Sequence, residues 1–490
     1  MKVGRRAMIH STGLALGSAS FAGLAAAASR ERFPANRDTG QVMPILSTYM
    51  SGACERVLPD EVIEKTKHHI IDTFAAMLSG SRLLPGQRAI KFAEAFAGKG
   101  DASVVASNII CCPIEAALAN GMLAHADETD DSHAPSQCHP GCAVVPAAFA
   151  VGEQFVISGE HFLRAVALGY DIGPRVTMTL GGQEFESQSH WSTHSIAPLF
   201  GAAAAAGCAA RLNAKEICRL LGYTAHQSSG LGCWNRDSEH VQKSFHFGGM
   251  TARNGVTSAL VVQVGWTGID DVFSGKDNFF AAYNPQADPA GLIEKLGERY
   301  EITRTNIKKW PVGSPIQAAL DALAAIRSEK SFEPDGVREI RVRLATDEAA
   351  IVNNREIPDI CLQHMVAVML LDKNVSFAAA HDRDRLKDTA TLRERSKVQL
   401  VADPELERLM PLRVAIVEVI LTDGSSLTRR VDNVRGTPQN PMTTSEVVEK
   451  ARELVSPILG TQKTSKLVEK LLHLEGVRDV RELRPLLQSH

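Results

Sequence analysis

The segment from Asn120 to Pro146 carries the densest group of side chains able to do chemistry. Its sequence, NGMLAHADETDDSHAPSQCHPGCAVVP, places His125, His133 and His139 among aspartates and a glutamate, with apolar stretches on both sides. Imidazoles held near carboxylates are suited to proton transfer near neutral pH. The alternative interpretation is a solvated acidic helix end, but the apolar residues on both sides argue against that interpretation. We therefore predict an active site in this part of the chain.

The local spacing predicts how these side chains are presented. His125, Glu128 and Ser132 are spaced as on one face of a helix. Pro135 cannot continue such a helix, so the residues that follow are expected to form a loop. We expect this loop to bring His139 back toward the acidic residues.

Two later segments supply positive charge. In Glu239–Gly249, EHVQKSFHFGG, Lys243 stands among aromatic residues and glycines. In NIKKWPVGSP, Lys308 and Lys309 stand at the expected junction of two domains, and clefts between domains are preferred ligand sites. Exposed, inert lysines are the alternative interpretation of the pair.

Length and composition exclude several classes of protein. A chain of 490 residues with 44% hydrophobic residues can bury a large core, and we expect it to divide into two domains. A net charge of −3 favours neither nucleic acid nor an anionic membrane as a partner. Nine cysteines, an odd number, do not suit a disulfide scaffold, so we predict mostly buried free thiols. Cys138 and Cys142 flank His139, but no second cysteine pair completes a zinc site, which favours packing roles.

The N-terminal residues 1–28 resemble a twin-arginine export signal. GRRAMIH places two arginines before an apolar pair, and Ser11 to Ala28 is a weakly apolar run that ends in four alanines. An uncleaved leader is the alternative. The run is too short and too rich in small residues for a membrane span. We predict a periplasmic mature protein with no membrane segment.

The remaining periodicity predicts a mainly α protein. Residues 42–304 show successive helical patterns, and FGAAAAAGCAARL at Phe200–Leu212 is expected at the centre of a bundle. After Trp310 the pattern changes: GVREIRVRL alternates like a strand, and a hairpin is expected around Asp423-Gly424. Residues 305–440 are therefore predicted to form a smaller inserted α+β domain. Residues 441–490 return to helical spacing and are expected to pack back on the large helical domain.

Four segments in one order resemble the MmgE/PrpD family. They are NGMLAHADETDDSH with HPG six residues later, STHSIAPLFGAAAAAG, EHVQKSFHFGGMTARNG and KKWPVGSP. The resemblance covers nearly the whole mature chain. It implies a helical domain built from both ends of the chain, an α+β lid, a homodimer, and no metal or organic cofactor.

The resemblance also implies roles for individual residues. The family positions fall on Glu128, Asp130, Asp131, Ser132, His139, Lys243 and Lys308. His139 is expected to act as general base or acid. Lys243 and Lys308 are expected to bind substrate carboxylates, and Glu128 or Asp130 to orient the base.

The chain also departs from the family pattern. The acidic turn reads Glu-Thr-Asp-Asp where dehydratase and decarboxylase members have Asp-Phe-Asp-Asp, and Ser192 stands at the position of a histidine. His190 or His194 is expected to replace that histidine in binding substrate. Gly313 stands where those members have another histidine, and no tyrosine follows Tyr300.

The chemistry shared by the family begins with removal of a proton α to a carboxylate, and clustered lysines and histidines can stabilise the resulting charge. We favour a cofactor-independent lyase, of hydratase or dehydratase type, acting on a small di- or tricarboxylate. Epimerase and decarboxylase activities of the same family are alternatives. A metal-dependent hydrolase is another, with a ligand set of His125, Asp127, Asp130, Asp131, His133 and His139. The last alternative is a catalytically degenerate carboxylate-binding protein. It is favoured by Ser192 and Gly313, which stand where the family has histidines.

Overall fold

A computed structural model describes residues 39–488 of the protein. The predicted twin-arginine signal at 1–28 lies outside the described residues. Within them the protein is mainly helical, which confirms the predicted fold class. In this part of the chain, helices that combine the length and the apolar character needed to cross a membrane do not occur.

Between residues 39 and 300 the structure has twelve α-helices. They are α1 (Val42–Ser51), α2 (Asp60–Gly80), α3 (Leu84–Phe96), α4 (Pro113–Ala124), α5 (Gly141–Phe155), α6 (Gly159–Leu180), α7 (Gly182–Ser189), α8 (Thr193–Ala209), α9 (Ala214–His226), α10 (Val241–Ser244), α11 (Met250–Gln263) and α12 (Phe279–Tyr283). A two-stranded ribbon of β1 (Ala102–Ser103) and β2 (Ile110–Cys111) lies among them.

The alanine-rich helix α8 lies at the centre of this bundle, where it packs against α5, α6 and α11. Its small side chains allow close approach: a Cβ added at Gly201 would lie 2.8 Å from the carbonyl oxygen of Gly169 on α6. This is the central position that the small-residue composition predicts.

The second part of the chain combines short helices with a four-stranded sheet. Its elements are α13 (Ser314–Glu329), β3 (Val337–Ala345), α14 (Thr346–Val352), α15 (Leu362–Asp372), α16 (Phe377–Ala380), α17 (Thr389–Arg395), β4 (Val398–Asp403), α18 (Pro404–Glu407), β5 (Ala415–Leu421) and β6 (Ser426–Val431). The strand order is β4-β3-β5-β6, with β3 parallel to β4 and antiparallel to β5. The predicted hairpin joins β5 to β6, and Gly424 adopts a φ of 87° in its turn.

Each of these two parts of the chain has its own large hydrophobic core. One gathers buried residues from 42–307 and 442–487, and the other gathers residues from 310–434. We call residues 310–434 the lid domain and the rest of the described chain the body. The tail forms α19 (Thr444–Leu459), α20 (Thr461–Leu472) and α21 (Arg484–Leu487), and α19 packs against α2.

A buried lysine joins the tail to the predicted site. Lys450 of α19 lies with its Nζ 2.6 Å from Oδ1 of Asp72 on α2, and it donates a hydrogen bond of 3.0 Å to the carbonyl oxygen of Thr129. Helix α19 therefore holds the backbone of the acidic segment in place.

Candidate active site

The acidic turn, residues 125–132, is not helical. Helix α4 ends at Ala124, so the helical spacing predicted for His125 and Ser132 is wrong. The reason is local hydrogen bonding: the Asp127 carboxylate accepts bonds from both the backbone N–H and the hydroxyl of Thr129. Aspartate side chains that bond nearby backbone in this way compete with helix formation. The side chains of the turn therefore point to several different partners.

Asp130 is the centre of the buried cluster. Its Oδ2 lies 2.9 Å from Nδ1 of His125, and its Oδ1 lies 3.1 Å from Nδ1 of His139. Burial would raise the pKa of Asp130, but His125, His139 and Lys308 hold it well below its ordinary value. An ionised carboxylate accepts a hydrogen bond from each ring, so both rings carry the proton on Nδ1 when neutral.

His139 is therefore prepared to act as a base. Burial lowers its pKa, although Asp130 opposes this effect. A neutral ring that donates from Nδ1 to Asp130 leaves Nε2 free to accept a proton. The loop after Pro135 brings His139 back to the acidic turn in this arrangement.

Two lysines surround Glu128. Nζ of Lys243 pairs with the Glu128 carboxylate. Nζ of Lys308 lies 3.7 Å from Oε2 of Glu128 and 3.7 Å from Oδ1 of Asp130, and it donates a hydrogen bond of 2.8 Å to the Glu128 carbonyl oxygen. Burial would raise the pKa of Glu128, but the two lysines hold it well below its ordinary value. The cluster thus contains two ammonium groups in a water-poor setting.

Lys308 is positioned by backbone pairing between the acidic turn and the segment that directly precedes the lid domain. The N–H of Ser132 donates to the carbonyl of Asn306 at 3.0 Å, and the N–H of Asn306 donates back at 2.8 Å. Ser132 is half-buried and lines a cavity of about 160 Å³ together with Lys308. The predicted binding residues Ser132 and Lys308 are thus neighbours.

Lys243 is positioned by α10 and a π-helical turn over Phe245–Gly249. Gly248 of this turn touches Gly121 of α4: a Cβ on Gly248 would lie 2.0 Å from the Gly121 carbonyl oxygen. The hydroxyl of Ser244 also donates to the carbonyl of Met122 at 2.8 Å. Single π turns occur frequently at functional sites, and this one brings the lysine segment onto α4, which leads into the acidic turn.

Aromatic rings form a wall beside the cluster. Phe247 stacks on His125 and on His194, with centroid distances of 4.5 Å and 4.4 Å. Nζ of Lys243 lies 5.1 Å from the ring centroid of Trp234. Such a wall lowers the local dielectric and strengthens electrostatic interactions.

Of the two histidines that could replace the one aligned with Ser192, only His194 reaches the cluster. Its ring centroid lies 5.4 Å from that of His139, and burial holds its pKa well below the ordinary value. His190 does not reach it. It follows α7 with a φ of 63° and is exposed, so the prediction of a substrate contact at His190 is not supported by its position.

Asp131 also lies apart from the predicted binding residues. Its carboxylate accepts hydrogen bonds from Nδ1 of His69 at 2.8 Å, the hydroxyl of Tyr170 at 2.5 Å and the N–H of Gly141 at 3.0 Å. These three donors use both oxygens of the Asp131 carboxylate. The position of Asp131 corrects its predicted role: it anchors the turn to α2, α6 and the start of α5.

The six ligands predicted for a metal-dependent hydrolase do not converge. Asp127 pairs with His381 of the lid domain, and His133 lies with Nε2 3.2 Å from Oε2 of Glu301. Two smaller groups have ligand atoms within 4.8 Å of one another: His125, Asp130 and Cys142, and His125, Glu128 and His240. Lys243 and Lys308 already neutralise Glu128, so the second group is a poor cation site.

Two histidines near the cluster were missed in the sequence. His240 precedes α10 and lies with its ring centroid 5.1 Å from that of His125; it stands in the segment already singled out around Lys243. His381 of the lid domain has no recognisable motif. Although burial opposes protonation, Asp127 and Asp359 raise the pKa of His381 to about 9. Both histidines line a cavity of about 310 Å³ between body and lid.

Comparison with known proteins shows similarity to one family along most of the chain. The family models of the MmgE/PrpD N-terminal and C-terminal domains match residues 45–291 and 310–474. The cis-aconitate decarboxylase-like protein oryM of Aspergillus oryzae is 28% identical over 92% of this chain and 98% of its own length. Cis-aconitate decarboxylases of Aspergillus terreus and Mus musculus are each 23% identical over 88% of this chain, covering 92% and 90% of their own lengths.

Proposed function

The chain belongs to the MmgE/PrpD family, and from this we propose that it is a cofactor-independent lyase of hydratase or dehydratase type. Its substrate is a small di- or tricarboxylate, and its first step is removal of a proton α to a carboxylate. The observation that carries the proposal is the Asp130 carboxylate shared by His125 and His139, beside two buried lysines.

His139 is the general base in this scheme. Asp130 keeps its Nδ1 protonated, so Nε2 faces the substrate as an acceptor, and the same carboxylate stabilises the imidazolium that forms. His194 packs beside His139 and contributes to the dry environment in which the transfer occurs.

Lys243 and Lys308 bind the carboxylate from whose α-carbon the proton is removed. A substrate carboxylate would take over the contact that Glu128 now makes with Lys243. The two ammonium groups then stabilise the enediolate charge, which is the largest energetic demand of the step. Loss of the β-hydroxyl completes dehydration: the C–O bond breaks, the double bond forms, and the proton held by His139 leaves with the hydroxyl as water.

Decarboxylation is the second candidate, because the relatives are named as cis-aconitate decarboxylases or decarboxylase-like proteins. In that reaction the lysines would bind a carboxylate, the substrate would lose CO2, and His139 would protonate the carbon. The same groups would therefore serve. The lid domain contains no tyrosine, however, and the lid group that faces the acidic turn is His381. Epimerisation needs the same base and a proton returned to the other face.

The test is proton NMR of the purified protein in D2O with citrate, malate, cis-aconitate and related acids. We expect α-deuterium exchange or a new alkene signal with the wild type, and a rate about 10²–10⁴-fold lower for His139→Gln. His226→Gln is the control, since His226 is an exposed residue at the end of α9. Loss of CO2 from an acid without deuterium exchange would indicate the decarboxylase activity instead. No reaction with any acid in the wild type would refute the proposed lyase.

A further inference from the structure

The cavity of about 160 Å³ that Ser132 and Lys308 line has a basic wall, to which both the body and the lid domain contribute. Its charged lining consists of four basic side chains and one acidic one: Arg304, Lys308, Arg413, Arg435 and Asp432. The Asp432 carboxylate already accepts a hydrogen bond of 2.7 Å from Nε of Arg430. The cavity therefore favours an anionic ligand.

Two of the arginines retain hydrogen-bond donors for such a ligand. Arg304 of the body donates from Nη1 to Glu301 at 2.8 Å. Arg413 of the lid domain donates from Nη1 to Glu348 at 2.6 Å. A guanidinium carries five N–H donors, so Nε and Nη2 of both arginines remain for another acceptor. The two glutamates do not line the cavity, so a ligand there meets the donors and not their present partners.

Helix α13 adds to the positive potential of the cavity. It begins at Ser314, which lines the cavity, and its N-cap residue Gly313 has no side chain to accept from the first N–H groups. The first turn of this helix contains no acidic residue. The positive end of the helix dipole therefore reinforces the attraction of an anion.

The rest of the wall is largely apolar, which favours an organic anion over inorganic phosphate. The apolar lining residues are Pro135, Ile307, Pro411, Leu412, Val434 and Pro438. A carboxylate matches the planar fork of an arginine, and the carbon skeleton that carries it can pack on the apolar wall. The volume of about 160 Å³ is below the roughly 300–1,000 Å³ of pockets for drug-sized ligands, so the acid is small.

We propose that this cavity binds a carboxylate group of a small organic acid, held between Arg304 of the body and Arg413 of the lid domain. A carboxylate bound there connects the two domains. Two sources provide it: the far carboxylate of the acid that Lys243 and Lys308 bind in the proposed reaction, or a second acid molecule. Binding is measurable without turnover, so the assignment does not depend on the lyase proposal.

The experiment is titration calorimetry of the full chain with succinate, tricarballylate and inorganic phosphate. The variants are Arg304→Gln, Arg413→Lys and Lys243→Met, with Arg408→Gln as the control. We expect Arg304→Gln and Arg413→Lys to weaken binding of an acid about 10- to 100-fold, and the control to stay within about twofold of the wild type. Phosphate should bind the wild type more weakly than the acids do.

The variants are chosen so that a loss of binding is not a loss of folding. The Arg304 side chain is 39% exposed, and Glu301 keeps its hydrogen bond of 2.7 Å from Nε of Arg299 when Arg304 is replaced. Arg413→Lys keeps a positive charge but loses the planar fork. Arg408 forms an ion pair with Glu405, with the same three-residue spacing as the pair of Arg304, and it does not line the cavity.

Lys243→Met distinguishes the two sources of the carboxylate. If the carboxylate belongs to the substrate, the wild type binds one acid per chain, and Lys243→Met weakens that binding as Arg304→Gln does. If it belongs to a separate acid, the wild type binds two acids per chain, and each of the two variants removes one binding event.

Unchanged affinity in both arginine variants would overturn the assignment. So would a wild type that binds no acid, or one that binds phosphate as tightly as the acids. Deuterium exchange by a protein whose acid binding does not depend on Arg304 would leave the lyase proposal standing and refute this site. Binding that depends on Arg304, without reaction of any acid, would leave this site standing and refute the lyase.

Discussion

Asp127 and His381 form an ion pair that joins the acidic turn to the lid domain, with 3.0 Å between Oδ2 and Nε2. The His381 ring packs against Phe377 at a centroid distance of 4.2 Å, and its Nδ1 lies 2.8 Å from the Phe377 carbonyl oxygen. Asp127 directly precedes Glu128 in the turn. The position of the lid is therefore linked to the segment that carries the proposed catalytic groups.

This ion pair predicts a pH-dependent contribution to stability. The pKa of His381 is raised to about 9 in the folded protein, above its ordinary value of 6.5. The contribution is fully present below about pH 6.5 and is lost as the pH rises through about 9. We expect His381→Gln to lower the free energy of unfolding by up to about 3 kcal/mol at pH 6, and by much less at pH 9.5. Urea unfolding at the two pH values measures the difference.

His226→Gln is the control for this comparison, because its side chain is exposed. The charged groups closest to the His381 ring are Asp127 and Asp359, the latter at 3.9 Å. Asp127→Asn should therefore reproduce the pH-dependent loss. An equal destabilisation by His381→Gln at both pH values would show that the residue acts by packing and not by charge.

Asp130 and Asp131 are adjacent, but their replacement by asparagine should have different effects. Asp130→Asn removes the charge that fixes the proton on Nδ1 of His125 and His139. We expect the rate of α-proton exchange to fall about 10²–10⁴-fold.

Asp131→Asn removes the negative charge and one of the two carboxylate oxygens that accept from His69, Tyr170 and the N–H of Gly141. We expect a loss of about 2–4 kcal/mol in the free energy of unfolding, because charge-assisted buried hydrogen bonds are lost. Urea unfolding and deuterium exchange measured on both variants separate the two roles. Equal exchange rates in the two folded variants would contradict them.

The neighbouring residues Asp130 and Asp131 also show what the sequence can and cannot predict. Periodicity predicts α8 and the β5–β6 hairpin, because regular elements bury one face at a fixed spacing. It cannot distinguish two neighbouring aspartates, because their partners are far along the chain: His69 lies on α2 and Tyr170 on α6. It also predicts helical spacing for the acidic turn, since it does not include the local hydrogen bonds of Asp127.

Site residues were predictable where a motif surrounds them. Glu128, His139, Lys243 and Lys308 stand in recognisable segments, and the structure brings them together. His381 was not predictable, because one histidine in a polar loop gives no signal until tertiary contacts place it beside the turn.

Helix α19 of the tail should be needed for both stability and activity. Lys450 pairs with Asp72 and donates to the Thr129 carbonyl, and both side chains are buried. We expect Lys450→Met to lower the free energy of unfolding by about 3–5 kcal/mol, because it leaves Asp72 unpaired. The double variant Lys450→Met/Asp72→Leu should recover much of that loss but not the exchange rate, since the bond to Thr129 is still absent. A double variant as unstable as the single one would show that the charge of Asp72 is not the cause.

The contact between Gly121 and Gly248 should decide whether the lysine segment can reach the acidic turn. A Cβ at Gly248 would lie 2.0 Å from the Gly121 carbonyl oxygen, a backbone atom that cannot move aside without shifting α4. Gly248→Ala should therefore lower the free energy of unfolding by about 1–3 kcal/mol or more and displace Lys243, five residues earlier, from Glu128.

Gly222→Ala is the matched control: on α9 its Cβ would make an ordinary contact of 3.5 Å with Ile269, and alanine is the better helix former by about 0.5–1 kcal/mol. Urea unfolding and deuterium exchange should show loss of both properties in Gly248→Ala and of neither in Gly222→Ala. Full exchange activity in Gly248→Ala would mean that the π turn does not position the lysine.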